Sequence, residues 1–316
     1  MQRIPLQEIT DRTAKRRDAW WTVLLVDPLA IRLVRLVYPY RWITPNLLSL
    51  VAFVLGLGAA ACFALQDRWW LVGGAVLFHL AFVIDCMDGK IARLNGTGTI
   101  FGVWFDFIFD RIRVILCTIA LFGGQYAKHG DVAFIWLAAA VITIDLFRYL
   151  NGSQMGKIKS NMNHQLAEAR GVTPEAPSAD EEESDSDDDA RKAIPPPAEG
   201  DRGAYVRFRN WLLRSRIRTH LFSGIEYEMT VFIVGPLIGF VFWTSIVAGA
   251  LLLAFEALLV LRLYQLTRRF PKLLAKAERE GEQNRPATSG EGPVGEGPVG
   301  GSGAGGDVTT PLPARG

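Results

Sequence analysis

Apolar residues come in runs of about 20 along this chain, and that length crosses a hydrocarbon core about 30 Å thick. Six such runs are legible, at 44–65, 69–94, 100–123, 131–150, 229–246 and 248–267. The pattern predicts an all-α integral membrane protein with six transmembrane helices. The first opens on Thr44-Pro45-Asn46, where threonine caps and proline takes the first helical position, whose N–H would be unpaired anyway. Only a short turn separates the last two runs, so their shared boundary is soft. Ahead of them, 18–40 mixes Trp20, Trp21, Leu24, Leu29, Leu33 and Leu36 with Arg32 and Arg35 and is interrupted by Asp27-Pro28. That stretch is too broken to span. It reads as an N-terminal amphipathic helix lying in the membrane interface, or as an ordinary helix packed on the membrane domain.

The polar residues collect in three places. They divide the chain into a basic arm with the interfacial helix (1–43), helices one to four (44–150), an insert (151–226), helices five and six (227–270) and a Gly/Pro-rich tail (271–316). Eight of the ten residues 180–189 are acidic and Pro195-Pro196-Pro197 follows; such a stretch cannot bury enough apolar surface to fold and is expected to be disordered. Tyr205 to Leu221 interleaves Trp211, Leu212 and Ile217 with five arginines, the pattern of a basic amphipathic helix suited to anionic lipid. The tail carries Gly-Glu-Gly-Pro-Val twice in tandem and reads as a flexible extension.

The net charge of +2 averages these blocks and says little. Lys15, Arg16, Arg17, Arg41, Lys90, Arg93, Lys157, Lys159, Arg268 and Arg269 all fall on one side of the six-helix scheme. By the positive-inside rule both termini are cytoplasmic in a multi-pass protein of the cell membrane. Cys62, Cys86 and Cys117 lie inside apolar runs, an odd set that argues against a disulfide framework or zinc. No cleavable signal peptide and no nucleic-acid partner are expected.

The chemistry concentrates in Asp85-Cys86-Met87-Asp88-Gly89-Lys90-Ile91-Ala92-Arg93 and, eight residues on, Gly102-Val103-Trp104-Phe105-Asp106-Phe107-Ile108-Phe109-Asp110. Asp85 and Asp88 are three apart at the end of helix two; Asp106 and Asp110 are four apart on helix three. Each pair therefore shares a helix face. A turn through Asn95-Gly96-Thr97-Gly98 lets the two helices pack antiparallel, so the four carboxylates can converge. Each charge at membrane depth costs about 2.5–3.5 kcal/mol on the insertion scale, and like charges repel. Bound cations answer both costs, and all-oxygen ligation favours Mg²⁺, Mn²⁺ or Ca²⁺ over Zn²⁺. Buried ion pairs or a cation path are the alternatives. Gly89, Ala92 and Gly102 leave room beside the carboxylates, and Arg93 can fork onto a phosphate.

The run resembles the CDP-alcohol phosphotransferase family, whose pattern D-x2-D-G-x2-A-R-x8-G-x3-D-x3-D it matches at every defined position. Thr44-Pro45-Asn46-Leu47 is similar to that family's first-helix start and Asp27-Pro28 to its interfacial helix. The resemblance covers roughly 20–165 and 220–270. It implies a homodimer of six-helix chains, an active site open to the cytosol, and transfer of a phosphatidyl or phosphoalcohol group from CDP-diacylglycerol or another CDP-alcohol to an alcohol or phosphoalcohol, with release of CMP. It also implies that Asp85, Asp88, Asp106 and Asp110 hold two divalent ions, Mg²⁺ or Mn²⁺. Asp110 would be the catalytic base. Thr44, Pro45, Asn46, Leu47, Gly89, Ala92, Arg93 and Thr99 would bind the nucleotide.

The acceptor is less legible. Arg113, a departure from the family pattern, faces the same side as Asp106 and Asp110 and would either bind an acceptor phosphate or pair with a carboxylate. Arg148 and Lys157 are further acceptor candidates, against an Asp145–Arg148 ion pair as the plainer reading. Glu226 and Glu228 would favour the positive start of helix five. Glu256 stands alone in an apolar stretch, a functional candidate or a hydrogen-bonded packing residue; His79 reads as packing. A divalent-cation transporter built on the same aspartates is the competing function, but it has no need of Gly89, Ala92 and Arg93 beside them.

Overall fold

The computed structural model describes residues 5–15, 18–40, 42–172, 216–218 and 222–284. The acidic run, the triple proline, nearly all of the basic 205–221 segment and the tail from residue 285 lie outside the described residues. Among those described, the chain is helical with no strand, apart from one isolated bridge between Asp18 and Ile217.

We number the helices α1 (Leu6–Thr13), α2 (Asp27–Val37), α3 (Pro45–Leu65), α4 (Arg68–Asn95), α5 (Ile100–His129), α6 (Ala133–Ala169), α7 (Gly224–Met229), α8 (Gly235–Ile238) and α9 (Val241–Asn284). Their ends are written in local chemistry. The Thr44 hydroxyl accepts from Leu47 N at 3.3 Å to start α3, and that of Thr99 accepts from Gly102 N at 3.0 Å to start α5. Gly96 closes α4 in the left-handed region, φ +64°, where only glycine sits without cost. Ser223 and Glu226 start α7 with a reciprocal capping box, which is the role Glu226 takes.

Four helices, α3, α4, α6 and α9, are long and apolar enough to cross a membrane. α5 is longer than α3 but carries Asp106, Asp110, Arg111 and Arg113. It packs against α3 and α6, and α3 against α4. The segment from α7 through a wide π-type turn (Thr230–Val234) to α8 packs on α4 and α9. It buries Tyr227, Met229, Val231, Phe232 and Pro236.

Two differences from the sequence reading are structural. The break between the last two apolar runs falls at Gly239, φ +81°, not between 246 and 248. The stretch 237–240 is Leu-Ile-Gly-Phe, with no polar residue to announce a turn. Second, α6 and α9 outrun their apolar segments: α6 continues to Ala169, and α9 passes through Pro271 to Asn284, taking residues 271–284 out of the expected tail. The two extensions touch. Arg170 pairs with Glu280 at 3.4 Å, and Gly281 lies so close to the Ala169 carbonyl that a Cβ there has no room.

The N-terminal arm is tied to the motif helix. α2 buries Asp27, Ala30 and Val34 against α4. Asp27 meets Lys90 of α4 at 2.8 Å, both side chains buried, and Arg216 at 3.6 Å. Asp18 N donates to Arg216 O and Arg218 N donates to Asp18 O, each at 3.0 Å.

Candidate active site

Burying charge in a membrane helix is tolerated only where the charges find one another or an ion. The end of α4 and the first half of α5 supply the acids, and the α4–α5 turn folds them onto one spot. Asp85, Asp88 and Asp106 each offer a carboxylate oxygen, and those oxygens lie within 4.8 Å of one another. Asp88 is 7% exposed and accepts a hydrogen bond from the Ser49 hydroxyl of α3. Asp106 Oδ1 is buried with no hydrogen-bond partner. Three convergent carboxylates, one with an orphaned oxygen, fit a divalent cation of the oxygen-seeking kind. Bound there, such an ion would supply charge neutralisation to a phosphate beside it.

Asp110 stands differently from expectation. Its Oδ1 accepts from Arg113 and its Oδ2 from Arg111, and it is not among the three clustered acids. The reason is local: the two arginines follow it by three and by one on the same helix, in a setting short of water. Arg113 also reaches Asp85 Oδ1 at 3.4 Å and is 2% exposed. Of its two readings, pairing with a carboxylate is the one this geometry shows.

Around these acids sits a second network that sequence spacing did not reveal. Arg111 donates to Asp145 Oδ2 at 2.5 Å and to Glu228 Oε1 at 3.3 Å, and its guanidinium lies 3.8 Å from the Tyr149 ring centre. Asp145 thus pairs with Arg111, not with Arg148 as the plainer reading had it. Glu228 faces this network, not its own helix start. Arg148 stacks on Tyr149 at 4.1 Å and leaves its Nε buried without a partner. It lies against Gly224, where a Cβ would overlap the guanidinium. Lys157 is exposed, two and a half turns further along α6, away from this group.

The nucleotide candidates are exposed or half-buried. Thr44, Asn46 and Thr99 are exposed; Pro45, Leu47, Gly89, Ala92 and Arg93 are half-buried. The structure brings together Asn46, Thr99 and Gly102: a Cβ on Gly102 would stand 3.0 Å from Thr99 Oγ1 and 3.1 Å from Asn46 Oδ1. The remaining singled-out residues pack. Glu256 accepts from Asn151 Nδ2 at 2.7 Å, and His79 meets the Trp21 ring edge-on.

Sequence reasoning missed Ser49, Arg111 and Tyr149. Arg111 carried a signal, a second cation in an apolar helix beside a motif aspartate; Ser49 carried none beyond its hydroxyl. The Ser49 bond orients a carboxylate, so Ser49→Ala should weaken divalent-ion binding roughly 10-fold. A Mn²⁺ binding titration of the purified protein checks this, with the unfolding midpoint unchanged.

Helices of membrane-spanning length around a cluster of three carboxylates that could hold a cation define a multi-pass membrane protein. Residues 42–169, which hold α3 to α6 and all four motif aspartates, match the family model for CDP-alcohol phosphatidyltransferase. The chain is similar to the phosphatidylinositol phosphate synthase of Corynebacterium glutamicum, 37% identical over 89 residues, 28% of this chain and 37% of the relative. It is also similar to the archaetidylinositol phosphate synthase of Pyrococcus horikoshii, 37% identical over 97 residues, 30% of this chain and 48% of the relative. A third is the CDP-diacylglycerol–glycerol-3-phosphate 3-phosphatidyltransferase of Cereibacter sphaeroides, 34% identical over 109 residues, 34% of this chain and 46% of the relative. In each case the matched stretch spans less than half of the relative's length.

Proposed function

We propose that this chain is a membrane transferase of phospholipid biosynthesis, moving a phosphatidyl group from CDP-diacylglycerol to an alcohol with release of CMP. The observation that carries this is the convergence of Asp85, Asp88 and Asp106 to within 4.8 Å beside the Asn46–Thr99–Gly102 corner. In this reading those acids hold Mg²⁺ or Mn²⁺. The nucleotide lies over Gly89, Ala92 and Arg93, against Thr44 to Leu47 and Thr99. Asp110 takes the proton from the acceptor hydroxyl; each of its oxygens has a second lone pair beyond the one given to an arginine. The chain crosses the membrane six times, through α3, α4, α5, α6, the 224–238 segment and α9. Both termini and the active site face the cytosol, α2 lies along that interface, and the enzyme works as a homodimer among membrane lipids.

The acceptor in this reading is a phosphorylated alcohol. Arg148 supports it, as a half-buried cation beside the site with its Nε unpaired. So do the names of the three relatives, two of which make inositol phosphate lipids and one of which uses glycerol 3-phosphate.

The test is CMP release by the purified protein in detergent with Mg²⁺ or Mn²⁺, CDP-diacylglycerol and paired acceptors, inositol against inositol phosphate and glycerol against glycerol 3-phosphate. CMP should appear with a phosphorylated member only. Arg148→Ala should raise that acceptor's KM between about 10- and 100-fold, the worth of one charge-assisted hydrogen bond. No CMP release with any CDP-linked donor would sink the transferase reading; equal use of both members of each pair would sink the acceptor assignment alone.

A further inference from the structure

Arg113 sits three residues past the last motif aspartate without a part in the transfer chemistry, yet the fold makes a dedicated place for it. Its side chain runs through a slot that α3 leaves open at Gly56, where a Cβ would fall 2.5 Å from Arg113 Cγ. Phe78 flanks the slot, its ring centre 5.8 Å from the guanidinium carbon. From there the guanidinium joins two acids on different helices, Asp110 Oδ1 on α5 and Asp85 Oδ1 on α4 at 3.4 Å. Arg111 covers the other oxygen of Asp110. What remains mutually close is the set Asp85, Asp88 and Asp106.

We propose that the centre holds one divalent cation, on Asp85, Asp88 and Asp106, and that the Arg113 guanidinium is a fixed cation standing where a second ion would join Asp85 to Asp110. The proposal rests on the metal-dependent transferase reading and departs from the two-ion expectation. A guanidinium stays protonated in proteins and offers only donors, so it can neither titrate away nor ligate an approaching ion. A dication between Asp85 and Asp110 would have to push Arg113 off the two acids it pairs with among the described residues. That would leave a buried charge without its partners, which is the costly way to break a buried ion pair. Asp110 is thereby kept free of metal and held in place by two arginines, an arrangement suited to handling a proton.

Mn²⁺ counts the ions. Equilibrium dialysis of the purified full-length protein, with and without CMP, should give one Mn²⁺ per chain in both conditions, and the electron paramagnetic resonance spectrum at saturation should be that of an isolated ion. Arg113→Ser should admit a second ion and produce an exchange-coupled pair, while Arg113→Lys, which keeps the charge, should stay at one. Two ions per wild-type chain, or a coupled pair in the wild type, overturns the proposal and leaves the transferase reading intact. Binding of no Mn²⁺ sinks both. Arg113→Ser folded and still at one ion overturns the stand-in role; should that variant fail to fold, the wild-type count and spectrum decide.

Discussion

Arg111→Ala should lower the thermal unfolding midpoint of the detergent-solubilised protein by on the order of 10 °C. Arg111 is 5% exposed and serves three carboxylates at once: Asp110 on its own helix, Asp145 on α6 and Glu228 on α7. Its loss leaves buried negative charges facing one another with one fewer cation. Breaking a buried pair from one side costs about 3–5 kcal/mol, which at a few degrees per kcal/mol for a chain of this size gives that shift. Arg111→Lys should recover only part of it, since an ammonium is a point charge that cannot fork between Asp145 and Glu228. The diagnostic is non-additivity. Asp145→Asn and Glu228→Gln each destabilise the wild type by removing a partner, but in the Arg111→Ala background they should raise the midpoint, because there they remove an uncompensated charge. A midpoint for Arg111→Ala within a degree or two of the wild type would show that the network does not tie α5 to α6 and α7.

The same network shows where sequence reading stops. Helix starts and stops are local events, so Thr44-Pro45, Thr99 and Gly96 could be read directly, and α3 and α4 fall within a residue of their expected ends. The pairing of Asp85 with Asp88 and of Asp106 with Asp110 was also local, a matter of helical period. Which acids then lie together depends on what else is near, and Asp110 stands outside the cluster of three, paired with arginines. Asp110 carries its arginines at one and three positions along the same helix, and burial turns that adjacency into pairing. The partners of Arg111 lie 34 and 117 residues away, a distance over which no spacing rule operates; only the packing of α5 between its neighbours supplies them. The helix extensions past residues 150 and 270 escaped for the opposite reason. A span is recognised by unbroken apolar length, and α6 and α9 go on as polar helices after that length is used up.

The arm and the site are likewise joined by a residue the motif treats as unspecified. Lys90 lies between Asp88 and Arg93 in sequence, and helical geometry turns it to the face opposite the cation centre. There it is buried against Asp27 at 2.8 Å. Asp27 in turn meets Arg216, which lies late in the 151–226 insert and is the first described residue after Val172. The register of the motif turn of α4 is thus held from behind by the N-terminal helix while its acids face forward.

Asp88→Asn should reduce kcat for CMP release at least about 1,000-fold while leaving the protein folded. Asparagine keeps the shape of the side chain and an acceptor for the Ser49 hydroxyl, so the α3–α4 contact survives; what goes is one of three charges gathered within 4.8 Å. A cation centre contributes several kcal/mol by stabilising charge that develops on phosphate, and at 1.36 kcal/mol per decade a loss of about 4 kcal/mol is roughly a thousandfold. Stability should move the other way, and its dependence on metal separates the causes. In chelator, the wild type carries the repulsion of Asp85, Asp88 and Asp106 undiluted, so Asp88→Asn should unfold at a higher temperature than wild type. With Mn²⁺ added, the wild type should gain stability in proportion to the logarithm of the ion concentration above its dissociation constant, while the variant gains little, and the order of the two midpoints should reverse. If the variant and the wild type respond alike to Mn²⁺, Asp88 does not hold the ion, whatever happens to kcat.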